Sequence, residues 1–186
     1  MTKKKNIWSN LLFFGLLVAM IIPQSRMVLQ SNVQRLLMGA PKEESTYEKL
    51  SPTDLSYSIR KANGEVLSLN SLNDKPVFLN YWATWCPPCV AEMPSIQNLY
   101  ADYKDKVHFV LISSEEEAKT KAFLNKKGYT FPLSKAIQAT PDKLSRSSIP
   151  STFLISKNGE ILVSEVGASN WNHKKFRALL DEAIKN

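Results

Sequence analysis

The sequence has little cysteine and little histidine, two of each in 186 residues. No second Cys-x-x-Cys and no paired histidines stand beside them, so the full ligand set of a structural zinc site is missing. No stretch interleaves Lys/Arg runs with aromatics, which excludes a nucleic-acid face of the usual basic kind. Internal repeats and low-complexity segments are absent too, and with them solenoid and array architectures. No cysteine closely follows the apolar N-terminal run, so a lipid-modified cysteine anchor is excluded, and no small-x-small cleavage site follows it either.

What is present is the composition of one globular unit: 44% hydrophobic and 22% charged residues, enough to bury a full core. The net charge of +7 is unevenly spread. Residues 1–51 carry seven Lys/Arg against three acids, whereas residues 52–186 carry seventeen against fourteen. The folded part is therefore only mildly basic, and much of the excess lies in a leader.

That leader places Lys3-Lys4-Lys5 before an uncharged, largely apolar run from Ile7 to Ile22. As a helix the run would span ~24 Å at ~1.5 Å per residue, slightly short of a ~30 Å hydrocarbon core. A cleaved signal peptide has similar length. Two features favour an uncleaved anchor: Pro23-Gln24-Ser25 is a poor cleavage site, and Trp8 is placed for the membrane interface with the lysines on the cytoplasmic side. In either case the rest of the chain is expected outside the cytoplasm, as a single-pass protein of the cytoplasmic (inner) membrane with its domain on the extracytoplasmic or periplasmic side. The expected division is a signal anchor over 1–23, a tether over 24–51 and a domain over 52–186. Within the tether, Met27, Val28, Leu29, Val33, Leu36 and Leu37 recur at near-helical spacing, suited to a membrane surface or to the domain itself.

In the domain, Ser56–Ile59 and Val66–Leu69 flank Asn63-Gly64, a hairpin signal. "PVFLNYWA" reads as a strand buried on both faces, Pro87 to about Tyr103 as a helix, and "VHFVLIS" as the next buried strand. "EEEAKTKAFLNKKG" has acids first, lysines last and Gly128 as a stop, matching the helix dipole. "STFLIS" and "EILVSEVG" form a second hairpin across Asn158-Gly159, and "NWNHKKFRALLDEAIKN" closes the chain as an amphipathic helix. Strands alternating with helices predict an α/β fold with a central sheet.

Both cysteines stand in "NYWATWCPPCVAEMP". Cys86 follows a strand and precedes a helix whose first turn holds Pro87 and Pro88, where their missing N–H groups cost nothing. Its sulfur therefore sits at a helix N-terminus, where free N–H groups and the dipole stabilise a thiolate. Cys89, one turn on, is near enough to close a ring and should be more buried. That asymmetry predicts attack by Cys86 and resolution by Cys89. A structural disulfide so short restrains little chain entropy, against ~3 kcal/mol for a ~15-residue loop.

"FLNYWATWCPPCVAEMP", with the later "IPSTFLISKNGEILVSEVG", resembles the thioredoxin superfamily, and within it the TlpA/ResA-like branch of membrane-anchored thiol–disulfide oxidoreductases. The resemblance covers residues ~52–186 and implies a thioredoxin-like fold, a central mixed sheet flanked by helices, with an N-terminal β-hairpin extension and a single N-terminal membrane anchor. It implies a cis peptide at Ile149-Pro150 beside the cysteines, and recognition of an extended client chain there, with Trp85, Pro87 and Pro88 also facing the client. Pro94 matches the family's helix proline; lacking an N–H, it leaves the Val90 carbonyl without its helical donor, and a kink is expected. Glu92, on the same helix face as Cys89, matches a glutamate that modulates thiol acidity or proton transfer; the alternative is a solvated helix acid. Asn80 departs from thioredoxin, which has an aspartate there; since an amide cannot act as a base, Glu92 is the candidate acceptor. Trp82 supports the site. His108 and His173 are expected in packing or surface roles.

The expected activity is reduction of disulfides in exported proteins, apocytochrome c before haem attachment among them, with electrons supplied by a membrane thiol reductant system. No separate cofactor and no metal are expected, since the Cys86–Cys89 pair carries the electrons. The rivals are a Cu(I) chaperone using the same pair, and a dithiol oxidase. A peroxiredoxin-type peroxidase would need a Pro-x-x-x-Thr-x-x-Cys setting, which the chain lacks.

Overall fold

The computed structural model describes residues 7–15 and 23–186. The expected anchor, residues 1–23, lies partly outside them: of its apolar run residues 7–15 are helical, with Trp8, Leu11, Leu12, Phe13 and Phe14 exposed. Among the described residues no helix is long and apolar enough to cross a membrane.

The segment 24–51 carries most of helix α1 (Pro23–Leu37) and all of strand β1 (Glu48–Lys49). Then follow α2 (Pro52–Leu55), β2 (Ser58–Lys61), β3 (Val66–Ser68) and β4 (Val77–Tyr81). Helix α3 (Pro87–Tyr103), β5 (His108–Ile112), α4 (Glu117–Lys127) and β6 (Ser134–Ala136) form the middle. The hairpin β7 (Ser151–Ile155) and β8 (Glu160–Val166) and the final helix α5 (Lys174–Lys185) close the chain.

Among the described residues all the strands join one eight-stranded sheet, in the order β1-β8-β7-β4-β5-β6-β2-β3. β5 runs parallel to β4 and β6, and the other pairings are antiparallel, so the sheet is mixed as expected. Both hairpins form where Asn-Gly stands, with Gly64 at φ 87° and Gly159 at φ 79°, the left-handed region that glycine enters without strain. β6 was not evident in "YTFPLSKAI". Its three residues pair with β2 and Ser134 also pairs with Ile112 of β5, so β6 joins the N-terminal hairpin to the rest of the sheet.

The period of two along β4 builds two cores. Val77 and Leu79 pack with Phe153, Ile155, Val110 and Ile59 on one face. Phe78 packs on the other with Met93, Ile96 and Leu99 of α3 and Phe176 and Leu180 of α5; Trp82, just past the strand end, joins it. Asn80 shares the parity of Phe78, so its amide points toward α3. That one polar side chain in a buried strand becomes part of the site.

Candidate active site

The turn between β4 and α3 is held from several sides. Trp82 N–H donates to the Ile112 carbonyl at 3.0 Å, and the Trp82 ring is buried. Thr84 donates from its N–H (2.6 Å) and hydroxyl (2.9 Å) to the Glu115 carboxylate, which also pairs with Lys119 at 2.5 Å. Trp85 alone in this turn faces solvent, at 62% exposure. Cys86 is the N-cap of α3, with Pro87 and Pro88 at its first positions. The Cys89 N–H donates to Cys86 Sγ at 3.2 Å, and the two cysteines form a disulfide. Cys86 is 3% exposed and Cys89 fully buried.

The Ile149-Pro150 peptide is cis, and Cys86 Sγ lies 3.7 Å from the Ile149 carbonyl oxygen. The chain thus brings Pro87, Pro88, Ile149 and Pro150 around one sulfur. α3 continues through Pro94 to Tyr103 as a single helix.

Glu92 is no solvated acid: it is completely buried. Its Oε1 accepts from Asn80 Nδ2 at 2.9 Å, and its Oε2 from Trp171 Nε1 at 2.8 Å and Ser169 N–H at 3.3 Å. Burial pushes its pKa up to about 8, while the Trp171, Asn80 and Ser169 donors pull the other way and the charge of Glu165 adds to the rise. Asn80 Nδ2 also reaches Thr152 Oγ1 at 2.7 Å, because Thr152 is its register partner on β7. Asn80 Oδ1 is buried without a hydrogen-bond partner.

Trp171, Ser169 and Thr152 were not among the sequence candidates. The helical pattern of "NWNHKKFRALLDEAIKN" takes in Trp171, yet α5 begins at Lys174, capped by His173, whose Nδ1 accepts from Lys175 N–H at 3.2 Å. The cap frees the preceding turn to fold Trp171 inward against Phe78 and Phe176, ring centroids 5.1 and 5.0 Å away. The signal was an aromatic ahead of a capping residue. His108, the first residue of β5, meets Asp74 at 2.6 Å.

The Redoxin family profile matches residues 49–180. The chain belongs to the Redoxin family. This Redoxin-family chain is 34% identical over 133 residues to thiol-disulfide oxidoreductase ResA of Bacillus thuringiensis, a match covering 69% of this chain and 74% of that one. It is 33% identical over 117 residues to the protein of the same name from Halalkalibacterium halodurans, covering 61% of this chain and 66% of that one. The crystal structure of StoA from Bacillus subtilis superposes with a TM-score of 0.53 at 25% identity, over 65% of this chain and 95% of StoA. The Redoxin-family chain is therefore a ResA/TlpA-like member of the thioredoxin superfamily, with a thioredoxin-like α/β fold. The family match, the relatives of that name and the Cys86–Cys89 pair together make it a thiol–disulfide oxidoreductase, whose substrates bear disulfides.

Proposed function

We propose that this chain is an extracytoplasmic disulfide reductase tethered by its N-terminus, in which Cys86 attacks the client disulfide and Cys89 resolves the adduct. The observation that carries this is the N-terminal position of Cys86 on α3, with the Cys89 N–H aimed at its sulfur and Cys89 itself fully buried behind it.

In the reduced protein the Cys86 thiolate attacks one sulfur of the client disulfide. A Cys86–client bond forms, the client bond breaks, and the departing client sulfur leaves as a thiolate that takes up a proton. Cys89, deprotonated, then attacks Cys86 sulfur. The internal disulfide forms, the second client thiol departs, and both electrons of the dithiol have passed to the client. The α3 N-terminus favours the Cys86 anion in the first step. Glu92, one turn beyond Cys89 and with its pKa raised by burial to about 8, takes the Cys89 proton and returns it. Asn80 positions Glu92, Trp82 backs the turn, and Pro94 sits in the helix that carries all three reacting groups.

An extended client segment lies along Ile149-Pro150 and against Trp85, Pro87 and Pro88. The dithiol serves as the redox centre with no separate cofactor, and a membrane thiol reductant restores it. The lysine-flanked leader and the exposed apolar side chains of residues 7–15 support membrane tethering, with clients among exported proteins such as apocytochrome c before haem attachment.

The test is insulin-disulfide reduction by the full chain in detergent, together with its reduction potential. Cys86→Ala should abolish turnover, and the potential should fall near about −270 mV; a value near about −120 mV would reassign the chain as an oxidase.

A further inference from the structure

Helix α1 lies outside the 49–180 family match, yet it packs on the helix that carries the cysteines. It does so with the wrong side for an ordinary amphipathic helix. Among its described residues Ser31 is buried and Met27 and Gln34 are half-buried, as is Met38 just past its end, and Arg35 Nε donates to the Ala91 carbonyl at 3.4 Å. Its aliphatic side is left uncovered: Leu29 is 37%, Val33 50% and Leu37 80% exposed. These three side chains form one wall of an open groove of about 700 Å³, and Pro87, Pro88 and Ala168 contribute to the other. No charged side chain is among its described lining residues.

Pro87 and Pro88 belong at once to the groove and to the ring between the cysteines. The groove is therefore continuous with the surface that any disulfide substrate must touch. A client bonded to Cys86 would bring the residues flanking its own cysteine beside the two prolines that follow Cys86 in α3. Apolar side chains there would cover Leu29, Val33 and Leu37, and removing that apolar area from water is favourable. A charged segment would find no partner.

We propose that α1 is a specificity element: with Pro87 and Pro88 it seats an uncharged, aliphatic segment of the client polypeptide next to the disulfide being exchanged. This rests on Cys86 being the sulfur that bonds the client.

The experiment uses the reduced full chain in detergent and two synthetic disulfide peptides, one with Leu and Val around the cysteine and one with Ser and Gly. A small aromatic disulfide, too short to reach α1, is the control. The wild type should prefer the aliphatic peptide by about tenfold in kcat/KM. Leu29→Gln combined with Val33→Gln, both at exposed positions, should bring that preference close to parity through KM, with the control unchanged. Equal rates on both peptides in the wild type, or an undiminished preference in the double variant, overturn the inference. So does a preference lost on transfer to lipid nanodiscs, which assigns the groove to the bilayer. So does dimerisation that the double variant abolishes while the preference stays, which assigns it to a second copy. A wild type inert toward the control as well would sink the exchange mechanism itself and the inference with it.

Discussion

Glu92 on α3 and Trp171 before α5, 79 residues apart in the chain, meet in a buried hydrogen bond in which the indole Nε1 donates to Oε2 at 2.8 Å. Ser169 N–H aims at the same oxygen. Both groups only donate, so the proton of the acid form is carried on Oε1, facing Asn80. Asn80 now donates there through Nδ2 and leaves Oδ1 unpaired. Turned over, the same amide would present Oδ1 to the acid proton and to the Thr152 hydroxyl. An amide tolerates either charge state of its neighbour.

Glu92→Gln tests the proton. Burial raises the Glu92 pKa from the ordinary 4.5 to about 8. Between those values the folded state keeps a proton that the unfolded state has lost, so its stabilising contribution, full below about 4.5, is lost as pH rises through about 8. Urea midpoints of the wild type should fall from pH 5 to pH 8, and those of Glu92→Gln should fall much less. Insulin reduction by the variant at pH 7 should slow by about 100-fold. Parallel pH slopes in the two proteins would remove Glu92 from the proton's path.

Trp171→Phe keeps an aromatic ring against Phe78 and Phe176 and deletes only the donor. That donor favours the carboxylate, so its loss should move the Glu92 midpoint further up, visible as a shifted pH profile of turnover. Stability should drop by about 1–2 kcal/mol. A loss of stability with an unmoved profile would make Trp171 mere packing.

Asn80→Asp places a second buried carboxyl against Glu92. The pair should share one proton near pH 5 and resist losing it, so stability should fall more steeply with pH than in the wild type. Thermal melts at pH 5 and pH 8 read this directly, and an unchanged difference between them would contradict it.

Trp85→Ala removes an exposed ring beside Cys86. Melting should barely move, within about 0.5 kcal/mol, as at most surface positions. KM for a protein disulfide should rise while the rate with a small disulfide holds. Equal effects on both substrates would place Trp85 in the chemistry rather than in client contact.

Much of this was legible beforehand, for local reasons. Pro87 and Pro88 announce a helix start, and α3 spans Pro87–Tyr103 as read; Asn63-Gly64 and Asn158-Gly159 mark hairpins that form. β1 and β6 are not legible in the sequence, because strands of two and three residues carry no periodicity and, unlike β3, no Asn-Gly turn marks them; pairing partners far along the chain decide them. Cys86, Cys89 and Glu92 stand within one short motif. The groups that tune Glu92 come from β4, β7 and the turn before α5, and only the closed sheet brings them together. The polar seat of α1 is hidden likewise, since its aliphatic spacing suits a membrane surface or the domain and does not say which side of the helix meets α3.

The order of attack is tested most directly by trapping. Reduced Cys89→Ser should accumulate a covalent adduct with a disulfide-bearing client, and peptide mapping should find the client cysteine bonded to Cys86. Reduced Cys86→Ser should accumulate almost none. An adduct forming as readily on Cys89 in that second variant would contradict the mechanism.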